Sequence, residues 1–317
     1  MRSSPALSRL GPCDAVYVST HEGEAALSCA ARIDAERKRG RRNLIIALFR
    51  APDEEIEPGG VSIGLADAPH RDPHYGALAE AVFGRSAAQD DCLLDATHLL
   101  DEVFRRTQAR HIYLPLGVGG HVDHRIAHEA GLKALPPQPG RDVFFYEERP
   151  DALVPGAVRM RLGEMGARLP PGAVRVAREG GMARFLVRYN AIPHRREAWR
   201  GLGERAMLTR LAARAWWEAR VWQPQKAFGV RVQPVVQEAP SLEAVRESAR
   251  LFDERRGARP RALRRLLALS AAYAQRLGGR DWVERYWLLL PPREDAGRGA
   301  GPVVAPDPVA SLPSSYR

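Results

Sequence analysis

HIYLPLGVGGHVDHRIAHEAG, residues 111–131, passes from a β-rich apolar run through a glycine loop into a helical pattern. HIYLPLG (111–117) has the length and bulk of a buried strand, the glycines of GVGG let the chain turn, and HRIAHEAGLKAL (124–135) reads as a helix. Strand, loop and helix in that order make the unit of a parallel sheet, and the order recurs upstream. DAVYVS (14–19) sets Ala15, Tyr17 and Ser19 against Val16 and Val18, the loop THEGEA (20–25) follows, and Ala26, Cys29, Ala30 and Ile33 fall on one helical face. NLIIALF (43–49) is a continuous apolar run, as buried parallel strands tend to be. A polar loop is expected over 50–73, Leu93, Ala96, Leu100, Val103 and Phe104 mark another helix, and DVFFYEE (142–148) closes the series. The fold expected is α/β, a Rossmann-like, doubly wound, mostly parallel sheet flanked by helices.

The second half is less regular and is expected to be an additional helical and strand part. Strand-like pieces stand at 158–162 and 185–189, and helical patterns at 208–219, 242–251 and 262–277. The chain divides into a core at 1–150 that carries both glycine-bearing loops, a part at 151–290 that completes fold and pocket, and a tail at 291–317 rich in Pro, Gly, Ala and Ser.

With 317 residues and 45% hydrophobic content, the chain can bury a large core. Its formal charge is +10, but only Lys38, Lys133 and Lys226 are lysines, and the arginines are scattered over the whole length. That spread describes a solvated surface rather than a nucleic-acid stripe, which would be concentrated and interleaved with stacking aromatics. Cys13, Cys29 and Cys92 are odd in number and far apart, so neither a disulfide framework nor a thiolate metal site is expected. No run reaches the roughly 18 apolar residues of a membrane span, and the start of the chain lacks the apolar core of a signal peptide. A cytoplasmic protein without nucleic-acid or membrane partners is expected; the oligomeric state is not legible.

In an open parallel sheet, ligands sit beyond the carboxyl ends of the strands. Two expected strands end in loops with chemistry: His21, Glu22, Gly23 and Glu24 after the first, and His121, Asp123 and His124 after Gly119 and Gly120. Two imidazoles and a carboxylate are the donor set of a catalytic zinc site that keeps one position open. Plainer readings stand beside this one. His-x-Asp-His also describes a surface turn with Asp123 as N-cap. GVGG lacks the Gly-Lys-Ser/Thr of a phosphate loop and reads as a tight turn. His128, one turn after His124, is expected to be exposed or capping rather than a ligand. His70, His74, His98 and His111 carry no spacing signal, and Trp216, Trp217 and Trp222 fit a core better than a sugar platform.

VYVSTHEGEAALSCAARI (16–33), HIYLPLGVGGHVDHRIAHEAG (111–131) and FFYEE (144–148), in this order and at these separations, resemble the LmbE-like zinc-dependent deacetylases, also called PIG-L or N-acetylglucosaminylphosphatidylinositol de-N-acetylase-like. The first family loop reads Pro-His-x-Asp-Asp-Glu/Ala and the second Gly-x-Gly-Gly-His-x-Asp-His. The resemblance covers about residues 14–150; SAAYAQRLGGRDWVERYW (270–287) is more loosely similar to the family's C-terminal helices. It implies that His21 and His124 are zinc ligands and that Glu24 stands where a ligand aspartate is expected. It further implies that His121 stabilises the oxyanion and that Asp123 orients His121 and sustains its charge. The implied activity is hydrolysis of an N-acyl (acetyl) group on a small-molecule amino-sugar or glycoside-like ligand.

The first loop departs from the pattern. Gly23 occupies the place of the aspartate that serves as general base, and Glu22 replaces an apolar residue or proline. Three readings follow. Glu24 binds zinc and Glu22 replaces the base; or Glu24 takes the base role and zinc is held by the two histidines with Asp123 or water; or the chain is an impaired enzyme, a pseudoenzyme, that binds a ligand or regulates.

Overall fold

The apolar run that opens the quoted stretch is a central strand, and the sheet extends outward from it. The structure, a computed structural model, describes residues 7–50, 60–76, 90–135, 140–154, 156–167, 231–255 and 260–290, with residues 206, 209, 210 and 213. The strand expected at 185–189, most of the helix at 208–219, Trp216, Trp217 and Trp222, and the tail at 291–317 lie outside these residues.

Strands β1 (Ala15–Ser19), β2 (Asn43–Arg50), β3 (Gly60–Ala66), β4 (His111–Pro115) and β5 (Asp142–Tyr146) run parallel. Strands β6 (Val232–Glu238) and β7 (Val283–Leu289) join antiparallel, β7 directly against β5, giving the order β3-β2-β1-β4-β5-β7-β6. The expected α/β architecture, a mostly parallel sheet flanked by helices, is therefore present, with β6 and β7 as its antiparallel members. The helices are α1 (Glu24–Ser28), α2 (Ala30–Lys38), α3 (Ala68–Arg71), α4 (Cys92–Thr107), α5 (Val122–Lys133), α6 (Ala157–Glu164), α7 (Glu243–Arg255) and α8 (Pro260–Arg276).

Successive strand residues point to opposite faces, and both faces are covered. Val16, Val18, Ile46, Leu114 and Phe145 pack with Leu100 and Phe104 of α4 and Ile126 of α5 on one side. Ala15, Tyr17, Ile45, Tyr113 and Phe144 pack with Cys29 and Ile33 on the other, and the Tyr17 and Tyr113 rings stack with centroids 4.3 Å apart. Burial on both faces is why these strands read as unbroken apolar runs.

Four local expectations are corrected. Part of the polar loop expected over 50–73 is the edge strand β3, paired to β2 with a register shift between Ala47 and Phe49, and α3 follows it. The strand-like piece at 158–162 is helix α6, begun at Gly156 in a left-handed conformation (φ 90°); its alternating Val158, Met160 and Leu162 are all buried within the helix. The single helical face of Ala26 to Ile33 is split at Cys29 into α1 and α2, and Glu284 of β7 accepts from the backbone N–H groups of Ala31 (2.7 Å) and Arg32 (3.0 Å) at the start of α2. VERYW within 270–287 is strand β7, not helix, because Val283, Tyr286 and Trp287 fill the gap between β5 and β6. Glu147, just past β5, secures this strand by accepting from Arg285 Nε (2.6 Å) and Trp287 Nε1 (2.9 Å).

The connectivity places a crevice. From β1 the chain builds β2 and β3 to one side, then crosses to β4 and β5 on the other, so β1 and β4 are neighbours whose following loops lead apart. Tyr17 pairs with Tyr113, which sets the carboxyl ends Ser19 and Pro115 nearly level. This is the topological switch point of an open α/β sheet, where ligands bind.

Candidate metal centre

The first loop closes on itself within one turn. The Ser19 hydroxyl donates to the His21 carbonyl (2.6 Å) and accepts from Ala25 N–H (2.9 Å). Gly23 lies at φ 78°, ψ −12°, a left-handed conformation that a residue with a Cβ adopts at a cost of about 1–2 kcal/mol. The turn it permits brings Glu24 back over His21, with Oε1 3.3 Å from His21 Nδ1.

The second loop is held from outside. Gly117, Gly119 and Gly120 all have positive φ, and a Cβ on Gly117 would come within 2.9 Å of the Arg161 guanidinium of α6, which donates to the Leu116 carbonyl. The N–H groups of Gly117 (2.6 Å) and Val118 (3.1 Å) both donate to Glu148 Oε1. His121 caps α5 through Nδ1, which accepts from Asp123 N–H (3.2 Å). Asp123 is fully buried, so the surface turn with an N-capping aspartate does not occur, and the cap is the histidine.

His21, Glu24 and His124 bring one donor atom each within 4.8 Å of one another. His124 Nε2 lies 3.4 Å from Glu24 Oε2. Each imidazole has a carboxylate at its other nitrogen: Asp123 Oδ2 3.2 Å from His21 Nε2, and Glu148 Oε1 3.5 Å from His124 Nδ1, an ion-pair rather than a hydrogen-bond distance. A buried carboxylate beside two imidazoles, each backed by a second carboxylate, fits a divalent ion such as zinc in both donor type and number. A second cluster, His21, His121 and Asp123, shares His21. Asp123 thus groups with His21 and His121 rather than with His21 and His124. Glu22 is buried beside Gly23 and belongs to neither cluster.

The electrostatics follow from proximity. Burial alone would raise Glu24, but His124 and His21 outweigh it and hold its carboxyl well below the usual range; the same carboxylate and Glu148 hold His124 above its ordinary value against burial. Burial also dominates at His121 and pushes it down, with Asp123 pulling the other way. Asp123 Oδ2 is 3.8 Å from His121 Nδ1 and 3.2 Å from His21 Nε2, so His21 is its closer imidazole.

Several residues of this site are not marked by any motif in the sequence. Asp123 Oδ1 accepts from Arg71 Nη2 (2.9 Å), and its Oδ2 accepts from Ala68 N–H (2.9 Å) at the start of α3. Arg71 in turn makes a two-point contact with Asp90 (3.0 and 3.1 Å), which also accepts from the Tyr75 hydroxyl (2.7 Å). Only the tertiary fold brings α3 onto Asp123. Glu148 had two available cues: it ends the FFYEE stretch, and it is a carboxylate just past the carboxyl end of a parallel strand.

The remaining histidines among the described residues separate. His70, His74 and His98 are exposed, and His111 is buried against Asp142 (3.3 Å). His128, expected to be exposed or capping, is buried and donates from Nδ1 to the Pro115 carbonyl (2.9 Å). Burial above all, and then the charge of Arg161, lower it to about 3. Since the unfolded chain takes up this proton near pH 6.5 and the folded chain near 3, the stability it contributes is present above pH 6.5 and is lost as the pH falls toward 3. Urea titrations between pH 4 and 7 are expected to show a steeper acid loss in the parent than in His128→Asn; equal slopes would remove His128 as the cause.

No family model matches the sequence, and no curated protein matches it. Solved structures do. The chain is similar to the zinc-inhibited form of teicoplanin deacetylase Orf2, at 13% identity over 89% of this chain and 100% of that one, with a TM-score of 0.51. It is also similar to the A40926 pseudoaglycone deacetylase Dbv21 (12% identity, 88% and 97% covered, TM-score 0.49) and to a deacetylase–teicoplanin complex (12%, 87% and 98%, 0.48). The likeness is one of fold. Among the described residues, no helix is long and apolar enough to cross a membrane.

Proposed function

We propose that this chain is a zinc-dependent N-deacetylase of the LmbE-like kind, acting on an N-acylated amino-sugar or glycoside-like small molecule. The observation that carries this reading is the convergence of His21, Glu24 and His124 at the switch point, with Asp123 and Glu148 behind the two imidazoles. Zinc in such a site supplies Lewis-acid polarisation of a carbonyl and lowers the pKa of water.

The chain's own residues divide the remaining work. His121 Nδ1 is occupied as an acceptor by the Asp123 N–H, so its ring proton resides on Nε2, where it can be donated to a developing oxyanion. Asp123, held by Arg71 and Ala68, fixes His21 from behind. Glu22, buried and adjacent to the left-handed Gly23, takes the role of the missing base in this reading, because the other carboxylate flanking Gly23, Glu24, stands among the metal donors.

Gly23 also supports a second reading, an impaired enzyme kept for ligand binding, because the position that should carry the base has no side chain. Elemental analysis of untagged protein and an amine-release assay on N-acetylated amino sugars separate the two. About one zinc per chain is expected, with turnover that falls in Glu22→Gln while zinc stays. Protein without zinc would overturn the metal centre, and zinc without turnover would favour the binding protein.

A further inference from the structure

Glu147 and Glu148 follow β5 directly, and their side chains go opposite ways. Glu147 turns to the C-terminal strand, where Arg285 and Trp287 hold it, while Glu148 turns into the crevice. Glu148 is only 1% exposed. Its Oε1 alone gathers the Gly117 N–H, the Val118 N–H and the approach of His124 Nδ1, and its Oε2 is buried with no hydrogen-bond partner among the described residues. Closing the glycine loop needs one acceptor oxygen, which a neutral amide would provide without the cost of burying a charge. A carboxyl kept in such a place, although burial pushes its pKa up, is explained by a partner that benefits from it, and the imidazole of His124, 3.5 Å away, is the group there. Asp123 stands in the same relation to His21 on the other side of the centre.

We propose that Glu148 is a positioning residue for the metal centre: it ties the Gly117–Val118 turn to His124 and holds that imidazole with Nε2 turned toward Glu24. The assignment rests on the metal-centre reading above. Glu148 sets the ring's orientation and raises its basicity as a ligand, and it touches neither substrate nor reacting atoms.

The test uses the full chain, zinc and cobalt. Glu148→Gln keeps an acceptor oxygen for the two backbone N–H groups and removes the charge that faces His124, so a role confined to loop closure survives the change. Expected are an unaltered melting temperature of the metal-free protein, zinc affinity about 10- to 100-fold weaker by competition with a chelating indicator, and a shifted visible spectrum of the cobalt form. Glu148→Ala is expected to lower the melting temperature as well, since it strips the acceptor from both N–H groups. Parent-like zinc affinity and cobalt spectrum in Glu148→Gln would overturn the proposal while leaving the centre intact. A parent that binds neither metal would instead overturn the reading on which it rests.

Discussion

His124→Ala is expected to remove zinc and deacetylation together, whereas His121→Ala keeps zinc and loses turnover by about 10²–10³-fold. The contrast follows from the two ends of one loop. His124 is on α5 with Nε2 directed at Glu24 and Nδ1 at Glu148, so its ring lies between two carboxylates and has the position of a ligand. His121 is at the cap, its Nδ1 already taken by a backbone N–H, and is free to use only its other nitrogen. Of three donors, losing one leaves His21 and Glu24, too few for a structural or catalytic zinc site. Elemental analysis and amine release on both variants check this. Zinc retained in His124→Ala, or lost in His121→Ala, would overturn the assignment of donors.

Arg71→Ala is expected to cost about 3–5 kcal/mol of stability, the range for removing one partner of a buried ion pair. Arg71 is the cation shared by Asp90 and Asp123, whose side chains are 1% and 0% exposed. Without it two carboxylates stay buried with reduced compensation. The Asp123 carboxyl, pushed up by burial and held well below the usual range by His21, His121 and Arg71, loses part of what keeps it ionised. At roughly 2–4 °C per kcal/mol for domains of 150–250 residues, the metal-free protein should melt at least about 6 °C lower. Arg71→Lys should fall between, because an ammonium cannot span Asp90 in the two-point geometry of a guanidinium. A loss under about 1 kcal/mol in the alanine variant, by urea denaturation, would mean that Arg71 does not clamp Asp123.

The strands were legible where both faces are buried, because that burial demands unbroken runs such as NLIIALF and HIYLPLG. They were illegible at β3, an edge strand interrupted by Gly64 and flanked by Pro, Gly and Asp, and at 158–162, where buried Val158, Met160 and Leu162 alternate with more exposed Arg159 and Arg161 in a helix and so imitate a strand. Strand β7 is not legible because its pairing with β5 and β6 joins segments distant in sequence.

The site divides in the same way. Local order alone placed His21, Glu24, His121, Asp123 and His124 on two loops at the carboxyl ends of strands, because a strand–glycine–helix sequence specifies its own turn. Which nitrogen faces which carboxylate was decided only by tertiary structure. The level ends of β1 and β4 bring the two loops together, α3 delivers Arg71 to Asp123, and β5 delivers Glu148 to His124. Spacing along a chain fixes how a turn closes, but an imidazole between two carboxylates is oriented by charges that reach it from other elements, and those distances exist only once the sheet has formed.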